Sequence, residues 1–494
     1  MKVCFVFQRS FTPVAHKIAK ELKKRGVAQS FCGYVYLRPS FAFLRRQTDI
    51  PYSSLLLDED IAKESTSVTI DWPYVRELET QYGIPNLWPY LAVDRIIRYG
   101  QHLREYPHNT PMYSYEDMVR LLQTSAQHII AFLEQEKPGV VFMPVVSSLG
   151  NMLLFHIAKK KGIRVLVGAE TRMEGGYCLS EDYSSFTFAE QRFRELLAGA
   201  SSPKSDAARS YITDYRKRPH TYHYVMESYK RSGSRAAAFA WLAPMRLMRS
   251  VSWNLRYIVS YAREGSHDYS DRPALGFLID TFRRKFRLVR GFNDLYDRYD
   301  PREEFAYFPL HLEPEMSLLL LAPRWTDQLN VIKQVAESLP LSFRLYVKEH
   351  PAMVGFRTRA YYRELKKIPN VRLIHPNHDS HAIIQDARLI ATITGTVGWE
   401  AALLGKPVIT FGNVYYNALP TVQKCERIDD LALLVKEQLE TEPDDRALTS
   451  FVAALFEHSE HLRLHELWEK GVEPEAEKAA IEGFCGLFER YVRG

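Results

Sequence analysis

Thr392-Ile393-Thr394-Gly395-Thr396-Val397-Gly398-Trp399-Glu400-Ala401 joins the β-rich run Leu389–Thr394 to a segment with helical spacing, Val397–Leu404. A buried strand that turns through glycine straight into a helix is the joint of a parallel α/β layer. Gly395 and Gly398 allow close backbone approach. Thr394 and Thr396 put hydroxyls beside the unpaired N–H groups of a helix N-terminus, an arrangement suited to a phosphate or another anion. Glu400 falls on the first turn, where its carboxylate can accept hydrogen bonds from ribose hydroxyls. Taken alone, the same glycines also serve a turn that only needs to pack.

The rhythm extends outward on both sides. Phe305–Pro309, Phe343–Lys348, Val371–Ile374 and Pro407–Phe411 read as further strands. Asp327–Ser338, Arg357–Lys367 and Ser380–Asp386 read as the helices between them, giving a doubly wound domain. A second alternation occupies the N-terminal third: strands at Lys2–Phe7, Val140–Pro144 and Ile163–Val167, with helical patterns at His16–Lys24, Leu121–Leu133 and Asn151–Lys161. The expected organisation is an N-terminal Rossmann-like domain (1–205), a helical segment (206–300), a C-terminal Rossmann-like domain (301–473) and a final amphipathic helix (474–494). Two Rossmann-like halves facing a cleft and separated by a helical stretch resemble the GT-B architecture of glycosyltransferases, which nucleotide-sugar 2-epimerases share.

Composition narrows the class. The 494 residues are 46% hydrophobic and 25% charged, ordinary for a globular protein. No apolar run is long enough for a membrane-spanning helix, and the short apolar start lacks the features of a signal peptide. Five cysteines, without a Cys-x-x-Cys pair, fit reduced thiols in the cytoplasm. The net charge of +6 is unevenly spread: Lys230–Arg290 carries thirteen basic and four acidic residues among aromatic side chains such as Trp241, Trp253, Tyr257 and Tyr261. Without a nucleic-acid module, such a surface suits anionic lipid or a polyanionic acceptor better than nucleic acid. A solvated Arg-rich helical subdomain is the plainer alternative.

Other strand ends carry polar groups. In Tyr346-Val347-Lys348-Glu349-His350-Pro351, Lys348 can face a phosphate or carboxylate, His350 can donate to a phosphate oxygen, and Pro351 fixes the exit of the chain. Phe308-Pro309-Leu310-His311-Leu312-Glu313-Pro314-Glu315 places a histidine and two carboxylates in five residues. They can serve acid–base chemistry or bind a sugar. In the first domain, Ser147-Ser148-Leu149-Gly150-Asn151 offers a second anion site at a helix start. Asp94-Arg95 reads equally as a surface pair. Asp58-Glu59-Asp60 reads as a solvated acidic turn, not a metal site. His458, His461 and His465 can share a helix face but lack the His-Glu-x-x-His pattern of zinc enzymes.

Taken in order, Phe-Pro-Leu-His-Leu-Glu-Pro-Glu, Lys-Glu-His-Pro, Pro376-Asn377-His378-Asp379-Ser380 and Gly-Thr-Val-Gly-Trp-Glu-Ala with Gly405-Lys406-Pro407-Val408-Ile409 resemble the capsule polysaccharide biosynthesis family, which includes bacterial Kdo transferases. The resemblance runs from Phe305 to Tyr416. It implies a glycosyltransferase of bacterial surface polysaccharide synthesis that takes a CMP-sugar as substrate, with no cofactor and no metal. His350 matches the CMP-contacting histidine of the motif, and Glu400 with the Gly395–Thr396 turn matches its nucleotide pocket. Lys348, Pro351, Asp379, Ser380 and Thr394 complete the expected donor site. The chain departs from the family pattern at Glu313, where glutamine is expected. Glu174-Gly175 is similar to the acidic-Gly motif that supplies the base in polysialyltransferases. The catalytic candidates are therefore Glu174, Glu170, His311 and Glu315, with Glu181 and Asp182 ranked below. Expected partners are a nucleotide sugar, a saccharide or lipid-linked acceptor and an anionic membrane surface. Expected localisation is cytoplasmic, peripheral at the inner membrane. A 2-epimerase, a glycerophosphotransferase and an inactive membrane-surface scaffold remain the alternatives.

Overall fold

The computed structural model describes residues 1–82, 86–99, 111, 113–173, 175–220, 248, 251–256, 258–259, 274–462, 467 and 473–493. The chain forms two compact units. The first comprises Met1–Arg98, Met112–Lys204 and Phe451–Gly494, and the second is built mainly on Ser205–Ser450.

The sheet of the first unit contains β1 (Lys2–Phe7), β2 (Ser30–Val35), β3 (Tyr52–Leu57), β4 (Val140–Met143), β5 (Arg164–Glu170), β6 (Gly176–Ser180) and, from the far end of the chain, a strand Ser459–His461. β5-β4-β1-β2-β3 run parallel, in the doubly wound order that reverses between β1 and β4. β6 and Ser459–His461 extend the β5 edge antiparallel. The Val, Phe and Leu of the central strands are buried on both faces, as covered parallel sheets require. The helix Pro474–Arg493 presses Phe484, Cys485, Leu487, Phe488 and Tyr491 into this core. It starts at the first residue of the expected C-terminal segment.

The sheet of the second unit contains β7 (Phe305–Pro309), β8 (Arg344–Lys348), β9 (Val371–Ile374), β10 (Leu389–Thr392), β11 (Val408–Thr410) and β12 (Val422–Lys424). All pairs are parallel in the order β9-β8-β7-β10-β11-β12. The expected strands are present with ends shifted by up to two residues, and β12 adds a sixth. The strand Ser459–His461, named β13 from here on, corrects the helical reading of the C-terminal histidines: His461 sits in a strand, His458 Nδ1 lies 2.7 Å from the Tyr491 hydroxyl, and His465 lies outside the described residues.

All five cysteines are buried free thiols. Among the described residues no helix is long and apolar enough to cross a membrane. Most of Lys230–Arg290 lies outside the described residues, including Trp241, Tyr257 and Tyr261. Its last helix, Ala274–Arg290, is described and leaves Phe282 and Phe286 exposed.

Candidate functional site

In an open α/β sheet a crevice forms beyond the carboxyl ends of the two strands where the order reverses. In the second unit these are β7 and β10. Beyond β7, the His311 N–H donates to Gln328 Oε1 at 2.7 Å, and the His311 carbonyl accepts from Arg357 Nη2 at 2.6 Å. The chain is thereby fixed on both sides. The imidazole reaches across to β10, where Nε2 lies 3.1 Å from the Thr394 N–H and 3.2 Å from Thr392 Oγ1. A backbone N–H can only donate, so Nε2 accepts and the ring is neutral. Burial, followed by the neighbouring His350 and Arg357, pushes its pKa down to about 3. His311 thus braces the Thr394–Gly395 turn, with Nε2 already engaged.

The turn itself is close-packed. The Gly395 N–H donates to Thr392 Oγ1 at 3.1 Å, and the Tyr416 hydroxyl donates to the Gly395 carbonyl. Gly395 caps the helix Thr396–Leu403. A side chain at Gly398 would place Cβ 2.5 Å from the Tyr416 hydroxyl, so glycine is required there by space alone. Glu400, one turn into this helix, is buried, with His381 Nε2 3.8 Å away. Burial raises its pKa to about 8, Lys348 opposing and Asp379 adding to the shift. At neutral pH the group is mostly a carboxylic acid that can donate as well as accept.

Lys348 ends β8 and donates to the His378 carbonyl at 2.7 Å and to Ser380 Oγ. It ties the β8 end to the loop after β9. Asp379 caps the helix Ser380–Asp386, its carboxylate accepting from the His381 N–H at 3.2 Å. His350 accepts the Ala352 N–H on Nδ1 at 3.2 Å, which sets the neutral tautomer with its proton on Nε2. Pro351 starts the short turn Pro351–Met353 that carries this bond. Glu315 caps the helix Met316–Leu321 and accepts from Ser317 Oγ at 3.1 Å.

Sequence reasoning missed Arg357. Its guanidinium is fully buried and lies 3.0 Å from Glu313 Oε2 and 2.5 Å from Glu349 Oε1, while the Tyr362 hydroxyl donates to Glu349 Oε2 at 2.7 Å. A buried cation needs anionic partners. Glu313, the departure from the family pattern, is one of them. No spacing rule marks Arg357, which follows Gly355-Phe356 in a loop. Its signal was indirect: two carboxylates predicted beside buried strand ends with no cation assigned to them.

In the second unit the structure thus assembles His311, Lys348, His350, Asp379, Ser380, Thr394, Gly395, Thr396 and Glu400 on the carboxyl ends of four neighbouring strands. Pro351 and Glu315 lie in the same unit, and Glu170, Glu174, Glu181 and Asp182 belong to the first. Glu170 ends β5, and Arg172 Nη1 lies 3.4 Å from its carboxylate. Glu174 lies outside the described residues. The segment between them is the turn of the antiparallel β5–β6 pair. Gly175 has φ +69°, and a Cβ there would lie 2.4 Å from the His461 ring. Glu181 pairs with Arg164 at 2.7 Å, and Asp182 accepts from Ser184.

Three first-unit expectations are corrected. The helix start after Ser147-Ser148 already holds an anion, the protein's own: Asp94 accepts from the Leu149 N–H at 3.3 Å and from the Ile96 N–H at 3.0 Å. Asp94 is 2% exposed and so is no surface pair with Arg95. Asp58-Glu59-Asp60 is not a solvated turn. It opens the helix Asp58–Ser65, with Asp58 and Glu59 buried and Asp58 accepting from the Tyr34 hydroxyl. Among the described residues no group of His, Cys, Asp and Glu is placed to hold a metal ion.

Residues 289–424 match the family model described as capsule polysaccharide biosynthesis protein. Protein FixF of Sinorhizobium fredii is 31% identical over 159 residues, 31% of this chain and 37% of that protein. Capsule polysaccharide modification protein LipA of Neisseria meningitidis serogroup B is 26% identical over 118 residues, 24% of this chain and 16% of that protein. The chain therefore spans well under half the length of either relative. Among solved structures, the Thermosulfurimonas dismutans KpsC β-Kdo 2,7 transferase aligns over 73% of this chain and 89% of its own, with 14% identity and a TM-score of 0.37. UDP-GlcNAc 2-epimerase from Neisseria meningitidis aligns over 100% of both chains, with 12% identity and a TM-score of 0.28. The segment that builds the second-unit site, residues 289–424, is thus the part of the chain that matches the capsule polysaccharide biosynthesis protein family.

Proposed function

We propose that the protein is a glycosyltransferase of bacterial surface polysaccharide synthesis that takes Kdo or a related acidic sugar from a CMP-sugar. The observation that carries this reading is the braced turn at the β7/β10 switch point, inside the matched family segment. A helix N-terminus that starts from a braced glycine turn, with Lys348 and His350 on a nearby strand end, is the place for a nucleotide phosphate. Glu400 faces the ribose. The donor's charge is met by the helix N-terminus, the His350 Nε2–H and the Lys348 cation, so the reading needs no metal. A direct inverting transfer also needs a carboxylate base, for which Glu170 and Glu174 are the candidates. The acceptor is a saccharide or a lipid-linked saccharide, reached from the cytoplasmic face of the inner membrane. The exposed Phe282, Arg283 and Phe286 give the helix Ala274–Arg290 the make-up of a surface that meets anionic lipid.

Thermal shift with CMP, CDP and UDP tests the donor. CMP is expected to raise the melting temperature of the wild type. His350→Ala is expected to weaken CMP binding by about 1.5–3 kcal/mol, the worth of a hydrogen bond to a charged group. A response to UDP alone, or unchanged CMP affinity in a folded His350→Ala protein, overturns the assignment. For the membrane reading, anionic vesicles should bind at low salt and release as ionic strength rises; no binding rejects it.

A further inference from the structure

The tripeptide Trp-Pro-Tyr occurs twice in the first unit, as Trp72-Pro73-Tyr74 and Trp88-Pro89-Tyr90. Each copy opens a helix, Trp72–Tyr82 and Trp88–Ala92. Proline in a first helical turn needs no N–H partner and restricts the residue before it, so both tryptophans are held by the same local device. In each copy a side-chain oxygen secures the start: Asp71 accepts from the Tyr74 N–H and Asn86 from the Trp88 N–H, both at 3.1 Å. Tyr90 turns inward, where its hydroxyl donates to the Tyr82 carbonyl at 2.7 Å. The tryptophans turn outward.

Between them stands Tyr115, the first residue of the helix Tyr115–Glu136. Its ring centroid is 6.3 Å from that of Trp72, with 23° between the planes, and 6.3 Å from that of Trp88, with 28°. Trp72, Trp88 and Tyr115 remain 42%, 49% and 50% exposed. Three large rings from three separate helix starts thus form an ordered row that keeps half its surface in water. A contiguous exposed aromatic patch of this kind marks an interaction site.

We propose that this row binds an uncharged saccharide. The face of an aromatic ring is electron-rich and attracts polarised C–H groups, which the apolar side of a sugar ring presents. The outer rings lie no more than twice 6.3 Å apart, which bounds the length of ligand that all three rings can hold together. Charge selects among ligands that stack. The residues next to the rings, Asp71 and Glu116, are exposed carboxylates, and Asp117 is paired with Arg120 at 2.6 Å. Carboxylates accept hydrogen bonds from sugar hydroxyls, whereas the phosphates of a nucleic acid or an anionic lipid would meet like charge. The site extends the transferase reading to the acceptor side. Its test contains no nucleotide, so the two readings fail separately.

The experiment is a binding titration of the full chain against uncharged oligosaccharides of glucose, galactose, mannose and N-acetylglucosamine. At least one is expected to bind saturably. Trp72→Ala and Trp88→Ala should each weaken it tenfold or more, and Trp72→Phe should retain most of the affinity with an unchanged melting temperature. If either alanine variant melts lower than wild type, Tyr115→Leu, which keeps bulk without a π face, decides in its place. The proposal is overturned if no uncharged oligosaccharide binds, if the ring-deleted variants bind as the wild type does, or if the rings are needed instead for anionic vesicles or single-stranded DNA.

Discussion

Arg357 holds two buried carboxylates, and its value lies in what its removal leaves behind. Arg357→Met would strand Glu313 and Glu349 without a counter-charge, an expected loss of about 3–5 kcal/mol. Glu313→Gln keeps an acceptor for the guanidinium and restores the residue expected in the family pattern, so it should cost no more than about 1.5 kcal/mol. Denaturant midpoints of the two variants check the contrast; equal losses would mean that Glu313 contributes charge that glutamine cannot replace. Glu400 carries a pH signature. Burial holds its proton up to about pH 8, whereas the unfolded carboxyl releases it near 4.5. Between those values the unfolded chain binds fewer protons than the native one, so stability falls as pH rises through the window. Glu400→Gln should remove that decline, visible as a flatter melting temperature from about pH 5 to about pH 8. The same variant should bind ribonucleotides less well than wild type while binding 2′,3′-dideoxynucleotides unchanged; equal losses would take the ribose away from Glu400. The positions of Lys348 and His350 at the end of β8, and of Glu400 on the helix after β10, were legible because charged residues beside apolar strands stand out in sequence. Arg357 and Asp94 were not: a charged residue at an expected helix start or beside an opposite charge looks solvated, and only the tertiary structure shows it buried.

At the scale of elements, the turn from β10 into Thr396–Leu403 concentrates the constraints. Gly398→Ala would drive a methyl group against the Tyr416 ring, and Gly395→Ala would meet Thr392 Oγ1 at 2.7 Å and His311 Nε2 at 3.1 Å. Overpacking of this kind typically costs about 1–3 kcal/mol. Both substitutions should also weaken CMP, because the turn they displace is the proposed phosphate cradle. A variant with lowered stability and intact CMP affinity would separate packing from binding. The glycines could be read as close-approach positions from their place between strand and helix, but what approaches could not. Elements that lack a pattern of their own were invisible. β12 has three residues, and Ser459-Glu460-His461 is wholly polar; it becomes a strand because Cys178, Tyr177 and Gly176 offer an edge to pair with.

On the scale of the molecule, two doubly wound sheets followed from strand–helix alternation, but the path of the chain between them did not. Amphipathic spacing showed that the C-terminal helix buries one face. It did not show which core receives it. Phe484 meets Phe142 of β4 with ring centroids 5.1 Å apart, and Ile481, Leu487 and Tyr491 join the same cluster. Deleting 474–494 should therefore destabilise the first unit while the second keeps its protection. Hydrogen exchange resolved by peptide would show it: loss of protection in β1, β4 and β5 with β7–β10 unchanged is expected, and uniform loss would contradict it.

The return of the chain to the first sheet also sets an order in time. A ribosome releases β1–β5 early, but the strand and helix that complete their sheet come only after the whole of the second unit. The second unit has contiguous strands and can close as it emerges. The first must wait, its apolar face between Phe142 and Tyr177 open, until the second unit has been made. A cell making this protein thus holds a sheet without its last strand and covering helix while the second unit is made, and that nascent sheet is where a chaperone would be needed.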